Sequence, residues 1–289
     1  DGFYDVNVSA KYIPLGLKLK AGYRSVGAYF ISPGAQTRRY SNAGTVNPYP
    51  TANGVDRIQT PFDRLSQEYG LTNNGLSPTL MGFIPGYNNA TPYGLATSNR
   101  KGLTVALSAE DKKERFMADV KFQSLEEVTA VNTTEARKFT VISAGAKINV
   151  NRFMQWRKQI TVQGSYASEG TKRSDLVIDL KSSTIDAGLD IECLTRLHIL
   201  AGYKTFTATG NEWFQGRNEL NLYEEGADVN SLKYDFKQGI TAAGLKYDFS
   251  NRAFFVAQVQ MIGTEDKSTV EVDNRYDMTQ FYFNYTLKF

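Results

Sequence analysis

A strict alternation of apolar and polar side chains constrains the fold most, and it is clearest in the last twelve residues, Met278–Phe289. Every second residue from Phe281 to Phe289 is aromatic or leucine. Successive side chains of a β-strand point to opposite faces, so the stretch predicts a strand with one apolar and one hydrophilic face. A strand of a soluble sandwich could show the same pattern, so the rest of the chain has to decide which kind of sheet this is.

Ten earlier segments repeat the alternation, so the sequence predicts eleven strands in all. At about 3.3 Å per residue and a tilt of about 45°, ten such residues rise roughly 25 Å, the height of the apolar band of an outer-membrane barrel. The ten segments are Tyr4–Tyr12, Leu15–Arg24, Leu103–Glu110, Phe116–Gln123, Ile142–Asn149, Gln159–Tyr166, Ile185–Cys193, Leu197–Lys204, Ala243–Phe249 and Phe255–Met261.

Composition is compatible with such a barrel and excludes some other classes. No run approaches the roughly 18 to 20 apolar residues of a membrane helix, whereas barrel strands are only half apolar. The net charge of +3 comes from 33 basic and 30 acidic residues that are interspersed, so no nucleic-acid footprint is present. The single cysteine, Cys193, excludes an internal disulfide. Asp1 is preceded by no leader, so we expect either a removed signal peptide or a longer polypeptide.

The polar faces of the segments carry rows of charged side chains, which predict a wet interior. Unpaired charges in a dry core would cost several kcal/mol each. Asp186 and Asp190 lie two steps apart on one face, and we expect pairing with Lys204 of the next strand rather than a catalytic carboxylate pair. The predicted lumen-lining residues are Lys18, Lys20, Arg24, Asp119, Lys121, Lys147, Asp186, Asp190, Glu192, His198, Lys204, Lys246, Gln258 and Lys288.

The connections between segments alternate in length between about two to seven residues and about twelve to 76 residues. Short periplasmic turns and long extracellular loops are typical of transmembrane barrels, so the alternation assigns a side to each end of every strand. With that assignment, aromatic residues fall near both ends of the segments, where membrane-interface girdles are expected. These interface aromatics are Tyr12, Tyr23, Phe122, Tyr166, Tyr203, Tyr247, Phe249, Phe255, Phe281 and Phe289.

The alternating segments and the ending FYFNYTLKF, with its terminal Phe289, resemble Gram-negative outer-membrane β-barrel proteins. The loop sequence SPGAQTRRY and the Tyr-, Asn- and Lys-rich composition are similar to barrels of Bacteroidota. The resemblance implies location in the bacterial outer membrane, contact with its lipid and lipopolysaccharide, and recognition of the last strand by the barrel-assembly machinery. Single-chain bacterial barrels have even strand counts, so about twelve strands are expected. The missing strand lies within the long insertion, around Leu176–Leu180, or before Asp1, or the chain is the C-terminal part of a larger barrel.

The resulting prediction is one transmembrane antiparallel up-and-down barrel over residues 1–289, with a long extracellular insertion at about 28–100. That insertion is expected to act as a lid, a plug or a partner-docking loop. Passage of small solutes without catalysis is the favoured function, and an accessory subunit of a secretion, uptake or assembly complex is the alternative. His198 is the only histidine and has no serine placed beside it, so no catalytic site, metal or other cofactor is expected.

Overall fold

A computed structural model describes eleven β-strands, as the alternation predicts. It covers residues 2–12, 14, 16–30, 86, 89–92, 94–130, 134–174, 178–214, 230–250, 252–268 and 274–287. The strands are β1 (Phe3–Tyr12), β2 (Leu17–Val26), β3 (Arg100–Glu110), β4 (Phe116–Glu126), β5 (Lys138–Asn149), β6 (Ile160–Arg173), β7 (Ile178–Leu194), β8 (Leu197–Phe214), β9 (Asn230–Ser250), β10 (Ala253–Asp266) and β11 (Asn274–Leu287).

The strands form one antiparallel up-and-down sheet in sequence order, from β1 at one edge to β11 at the other. Every adjacent pair is antiparallel, which confirms the predicted all-β meander. Among the described strands β1 and β11 are not paired, so the sheet is not closed. Since directions alternate, β1 and β11 run the same way.

The two ends of the sheet differ in the length of their connections. At what we call the lower end, short connections join β1 to β2, β3 to β4, β5 to β6, β7 to β8, and β9 to β10. A five-residue α-helix, α1 (Val150–Met154), lies in one of them, and its last turn ends at Gln155 with a left-handed φ of 55°. In another, Arg115 donates two hydrogen bonds of 2.7 and 2.9 Å to Asp111 and holds the pKa of that carboxyl well below its usual range.

Several strands extend further toward the opposite, upper end than the sequence pattern predicted. β7 begins at Ile178, so residues 178–180, considered above for a twelfth strand, belong to β7. β8 continues to Phe214, and β9 begins at Asn230. A 3-10 helix, Gly94–Ala96, precedes β3. No helix in the described ranges is long and apolar enough to cross a membrane.

The two faces of the sheet are opposite in character to those of a soluble protein along most of each strand. Large apolar side chains are exposed on one face, for example Leu103 at 56%, Leu245 at 52% and Phe283 at 72%. Polar side chains on the other face are buried, for example Asp186 at 4% and Gln258 at 4%. We call these the outer face and the inner face. Because no second layer is described over the inner face, the sheet must curve around it.

Near the upper end the two faces exchange character. On β7, Ile178 and Leu180 are buried on the inner face, while Asp179 and Lys181 are exposed on the outer face. The same exchange occurs on β8, where Phe206 and Ala208 are buried with Ile240 of β9 and Ile262 of β10. The upper ends of the long strands therefore have the pattern of a sheet in water, and the lower parts have the reverse.

Candidate functional site

The predicted lumen-lining residues occupy the inner face of the strands. Gln258, Asp186, Asp190, His198 and Lys246 are each less than 9% exposed there. Lys18 and Lys20 are exposed, because they lie on β2 beside the edge strand β1. The remaining described members, all on inner-face positions, are Arg24, Asp119, Lys121, Lys147, Glu192 and Lys204, and Lys288 lies outside the described residues.

The predicted interface aromatics occupy the outer face. Tyr12, Tyr23, Phe122, Tyr166, Tyr203, Tyr247, Phe249 and Phe281 are between 41% and 71% exposed. Phe255 is half-buried, with its ring 6.3 Å from that of Phe283. Near the lower end Tyr247, Phe249 and Tyr285 form a chain of edge-to-face rings 5.0 and 6.0 Å apart. Phe289 lies outside the described residues.

The upper aromatics follow a line that is inclined to the hydrogen-bonded rows of the sheet. Tyr23 lies in a row with Ser124 two strands away, and the aromatic of that strand is Phe122, two residues lower. The same step occurs twice more. Phe122 lies in a row with Ser168, and Tyr166 is two residues lower on that strand; Tyr166 lies in a row with Thr205, and Tyr203 is two residues lower. Two residues of about 3.3 Å over two strand spacings of about 4.8 Å correspond to a tilt of about 35°.

His198 lies near the lower end between two carboxylates. Its Nδ1 is 2.6 Å from Asp190 Oδ1 and its Nε2 is 3.1 Å from Asp248 Oδ2. Lys246 Nζ is 3.1 Å from the same oxygen of Asp248. No serine hydroxyl is described in this chain of contacts, and within the described ranges no group of three or more His, Cys, Asp or Glu could hold a metal ion.

Asp186 and Lys204 are directly opposite each other on β7 and β8, as the sequence predicted. The Lys204 Nζ to Asp186 Oδ1 distance is 3.9 Å, and Ser165 donates a 3.0 Å hydrogen bond to the same carboxylate. Asp190, which the sequence also assigned to Lys204, contacts His198 of β8 instead, so each of the two carboxylates of β7 has a partner on the next strand.

The inner face of β2 to β5 carries a different set of groups, which we call the basic wall. Lys20, Ala106, Lys121 and Ser143 lie in one hydrogen-bonded row across the four strands. The charges of Lys20 and Arg24 both act on Lys121. Arg24 is 5% exposed, and its Nε and Nη1 have no hydrogen-bond partner among the described residues. The hydroxyl of Ser143, 1% exposed, is likewise without a partner in the described structure.

The upper end of the inner face is covered by a short part of the long insertion. Asn89 and Ala90 donate backbone N–H bonds to Glu169 of β6, and the Asn89 amide donates to Thr171 and to Glu212 of β8. In turn, the guanidinium of Arg100 on β3 donates hydrogen bonds of 3.0 and 3.1 Å to the backbone carbonyls of Ala90 and Asn89. We call this contact between the insertion and the strand ends the cap.

The electrostatics of the cap follow from its burial. Burial raises the pKa of Glu169 to about 7, against the opposing effect of the N–H groups of Ala90 and Asn89 and the charge of Arg100. Burial also lowers the pKa of Arg100 to about 10, so this guanidinium, stacked 3.8 Å from the Phe139 ring centroid, stays cationic at neutral pH. Since β3 and β8 would be about 24 Å apart in a flat sheet, their meeting at Asn89 requires strong curvature.

Sequence reasoning missed the cap and Ser143. Residues 31–85, which include most of the predicted lid, plug or docking loop, lie outside the described residues. The sequence pattern places Ser143 on the polar face of its strand but indicates no role for it. Its position opposite Lys121 could have been predicted by aligning the two strands of the hairpin. No signal marked Asn89, because the groups that accept its hydrogen bonds lie on strands 80 to 123 residues away.

No family model and no curated protein matches the chain in sequence comparisons.

Proposed function

We propose that the chain is an outer-membrane β-barrel protein whose strands cross the bilayer below the line of upper aromatics. The observation that carries this proposal is the exposed apolar outer face together with the buried polar inner face. Soluble monomers rarely expose contiguous apolar patches larger than a few hundred square ångströms, whereas here such side chains follow the outer face of every strand. In lipid this face needs no cover.

The dimensions of the sheet support the same proposal. The inclination of about 35° agrees with the tilt of barrel strands. The outer-face apolar run on β7 begins at Ile185 and ends at Leu194, which at that tilt rises about 25 Å. Above Ile185 the outer-face residues of β7 are Ser183, Lys181 and Asp179, all polar, as expected of a strand that leaves the bilayer.

We further propose that an additional strand closes the barrel. Open sheet edges are not tolerated in hydrocarbon, because their N–H and C=O groups would stay unsatisfied. β1 and β11 run the same way, so an antiparallel closure needs one strand, or another odd number, between them. Twelve strands, or a larger even number, meet this condition, with the terminal strand serving assembly as its resemblance implies.

Passage of small solutes, without catalysis, is the activity that we propose for this barrel. Its support is the hydrophilic inner face, whose charges are only partly paired, and the cap, which lies over the upper opening. The expected partners are outer-membrane lipid, lipopolysaccharide and the barrel-assembly machinery, with no cofactor and no nucleic acid. The insertion at about 28–100 would narrow the path from the outside.

Planar-bilayer recordings of the purified full chain test passage. We expect small single-channel steps from the wild type and larger or more frequent steps from Glu169→Ala, which removes the acceptor of two cap hydrogen bonds. Lys172→Ala, on the outer face of the same strand, is the matched control and should leave the steps unchanged. If neither the wild type nor a chain lacking residues 31–92 conducts, passage is refuted.

A second function is favoured by the apolar filling of one side of the inner face. Leu200, Ala242 and Val256 are buried together there with Phe254, and a further apolar cluster lies above them. A filled interior suits an accessory subunit that binds a partner protein through its upper loops. A photo-crosslinker at Leu95, which is 63% exposed, should then label one defined protein in outer membranes, and absence of a defined product would remove this alternative.

A further inference from the structure

We propose that the basic wall is a binding site for a small oxyanion, a phosphate or carboxylate group, formed by Arg24, Lys20, Lys121 and Ser143. The inference rests on the proposed passage function, since it names the class of solute that the lumen would select. It also makes a claim about binding that can be measured without conductance.

The first support is the surplus of positive charge on this part of the inner face. Between the levels of Lys18 and Arg24, the fully described inner face of β2 to β5 contains four cations and one acid, Asp119. Asp5, directly opposite Arg24 on β1, is the acidic group whose charge acts on that guanidinium. On the other side of the inner face, Asp186, Asp190 and Asp248 provide carboxylates to the bases near them. The surplus is therefore local.

The second support is that buried donors in the wall lack acceptors. Two nitrogens of Arg24 and the Ser143 hydroxyl are buried without a hydrogen-bond partner among the described residues. Leaving such groups unsatisfied is unfavourable, and native proteins satisfy the great majority of them. An oxyanion supplies several acceptor oxygens at once, and a guanidinium binds two of them in its planar fork.

The register brings these groups within the reach of one small ligand. Ser143 is directly opposite Lys121, about 5 Å away between Cα atoms, and Lys20 is two strands from Lys121, about 10 Å away. Ala106 separates the two lysines, so only a methyl group stands between them in the row, whereas the Asn7 side chain lies over Gly22 between Lys20 and Arg24. A phosphate or carboxylate in this row would contact both ammonium groups and accept from Ser143. Arg24 lies four residues above Lys20 on β2, and its charge acts on Lys121.

Titration calorimetry of the detergent-solubilised full chain with inorganic phosphate tests the site, and acetate is titrated in parallel to separate phosphate from carboxylate binding. We expect saturable binding of at least one of them, and a loss of about tenfold or more in affinity for Arg24→Gln and for Lys121→Gln, the loss of one hydrogen bond to a charged group. Arg24→Lys should recover part of the loss. Lys147→Gln removes a cation from the same face whose charge, unlike those of Arg24 and Lys20, is not among those that act on Lys121, and should change affinity less than twofold.

The outcomes separate the site from the passage function. Absence of saturable binding, or equal affinities in the wild type, Arg24→Gln and Lys121→Gln, overturns the site even if the protein conducts. Binding with the expected losses in a protein that does not conduct supports the site and refutes passage. If both hold, reversal potentials in a salt gradient should show anion preference that is reduced in Arg24→Gln and retained in Lys147→Gln.

Discussion

A pair of neighbouring substitutions on β3 tests the assignment of the two faces. Leu107 is on the outer face, in register with Leu19 and Val120, and the three side chains are 46%, 46% and 49% exposed. Ser108 is on the inner face, directly opposite Lys18 and Asp119. Leu107→Arg and Ser108→Arg therefore place the same new side chain one residue apart, on opposite faces.

The expected change in the free energy of unfolding for Leu107→Arg depends on whether the outer face contacts lipid or water. If the outer face contacts lipid, an arginine near the middle of the band destabilises by about 2–4 kcal/mol. That corresponds to roughly 30- to 900-fold in the ratio of folded to unfolded protein. If the same face contacts water, replacing a side chain that is already half exposed should change stability by no more than about 0.5 kcal/mol. Ser108→Arg should stay within about 1 kcal/mol, because attraction to Asp119 on one neighbouring strand offsets repulsion from Lys18 on the other.

Urea titration of the protein folded in phospholipid vesicles measures both effects. The folded fraction is followed by tryptophan fluorescence and by the electrophoretic shift between unheated and heated samples. A Leu107→Arg protein as stable as the wild type, or a Ser108→Arg protein destabilised by as much as Leu107→Arg, would refute the assignment of the faces and with it the proposed membrane barrel.

Two further predictions concern buried charges. The pKa of Glu169, above the upper aromatics, is raised from 4.5 to about 7, so the stability it contributes is full below about pH 4.5 and is lost as the pH rises through 7. The stability of the wild type relative to Glu169→Gln, from urea midpoints, should therefore fall between pH 5 and pH 8, and a flat or rising difference contradicts the cap. His198→Ala leaves the Asp190 carboxylate, 3% exposed, without the ring that its Oδ1 contacts, so it should lower the free energy of unfolding by about 1–3 kcal/mol. A loss below about 1 kcal/mol in the same titration would show that the contacts of His198 do not hold the two carboxylates.

The sequence predicts the lower parts of the strands well, because apolar and polar side chains alternate there with the apolar ones on the same face throughout. It fails at the upper ends, where the alternation continues with the faces exchanged. On β7, Ser182, Ser183 and Thr184 are all polar at the point of exchange, which interrupts the alternation. The sequence pattern therefore assigns Ile178 and Leu180 to another element. Tertiary packing of these residues over the inner face, rather than local pattern, extends the strand.

The candidate site likewise contains some contacts that the sequence predicts and others that it does not. The pairing of Asp186 with Lys204 follows from strand order, since directly opposite residues of a short hairpin can be aligned from the sequence. The basic wall depends in addition on which groups remain without partners, and the cap depends on a long insertion whose contacts cross from β3 to β8. Neither property is encoded in the spacing of residues along one strand.

The shared direction of β1 and β11 restricts how this protein can assemble with others. Two copies of the described sheet in the same orientation present only descending strands at their edges, so no antiparallel pairing between any two such edges is possible. Only an ascending strand can pair in antiparallel fashion with β1 or β11, and a single one can bond to both at once. With eleven strands in the described part of the chain, an antiparallel closing segment can pair with both edges, whereas identical sheets cannot pair edge to edge in antiparallel fashion into larger arrays.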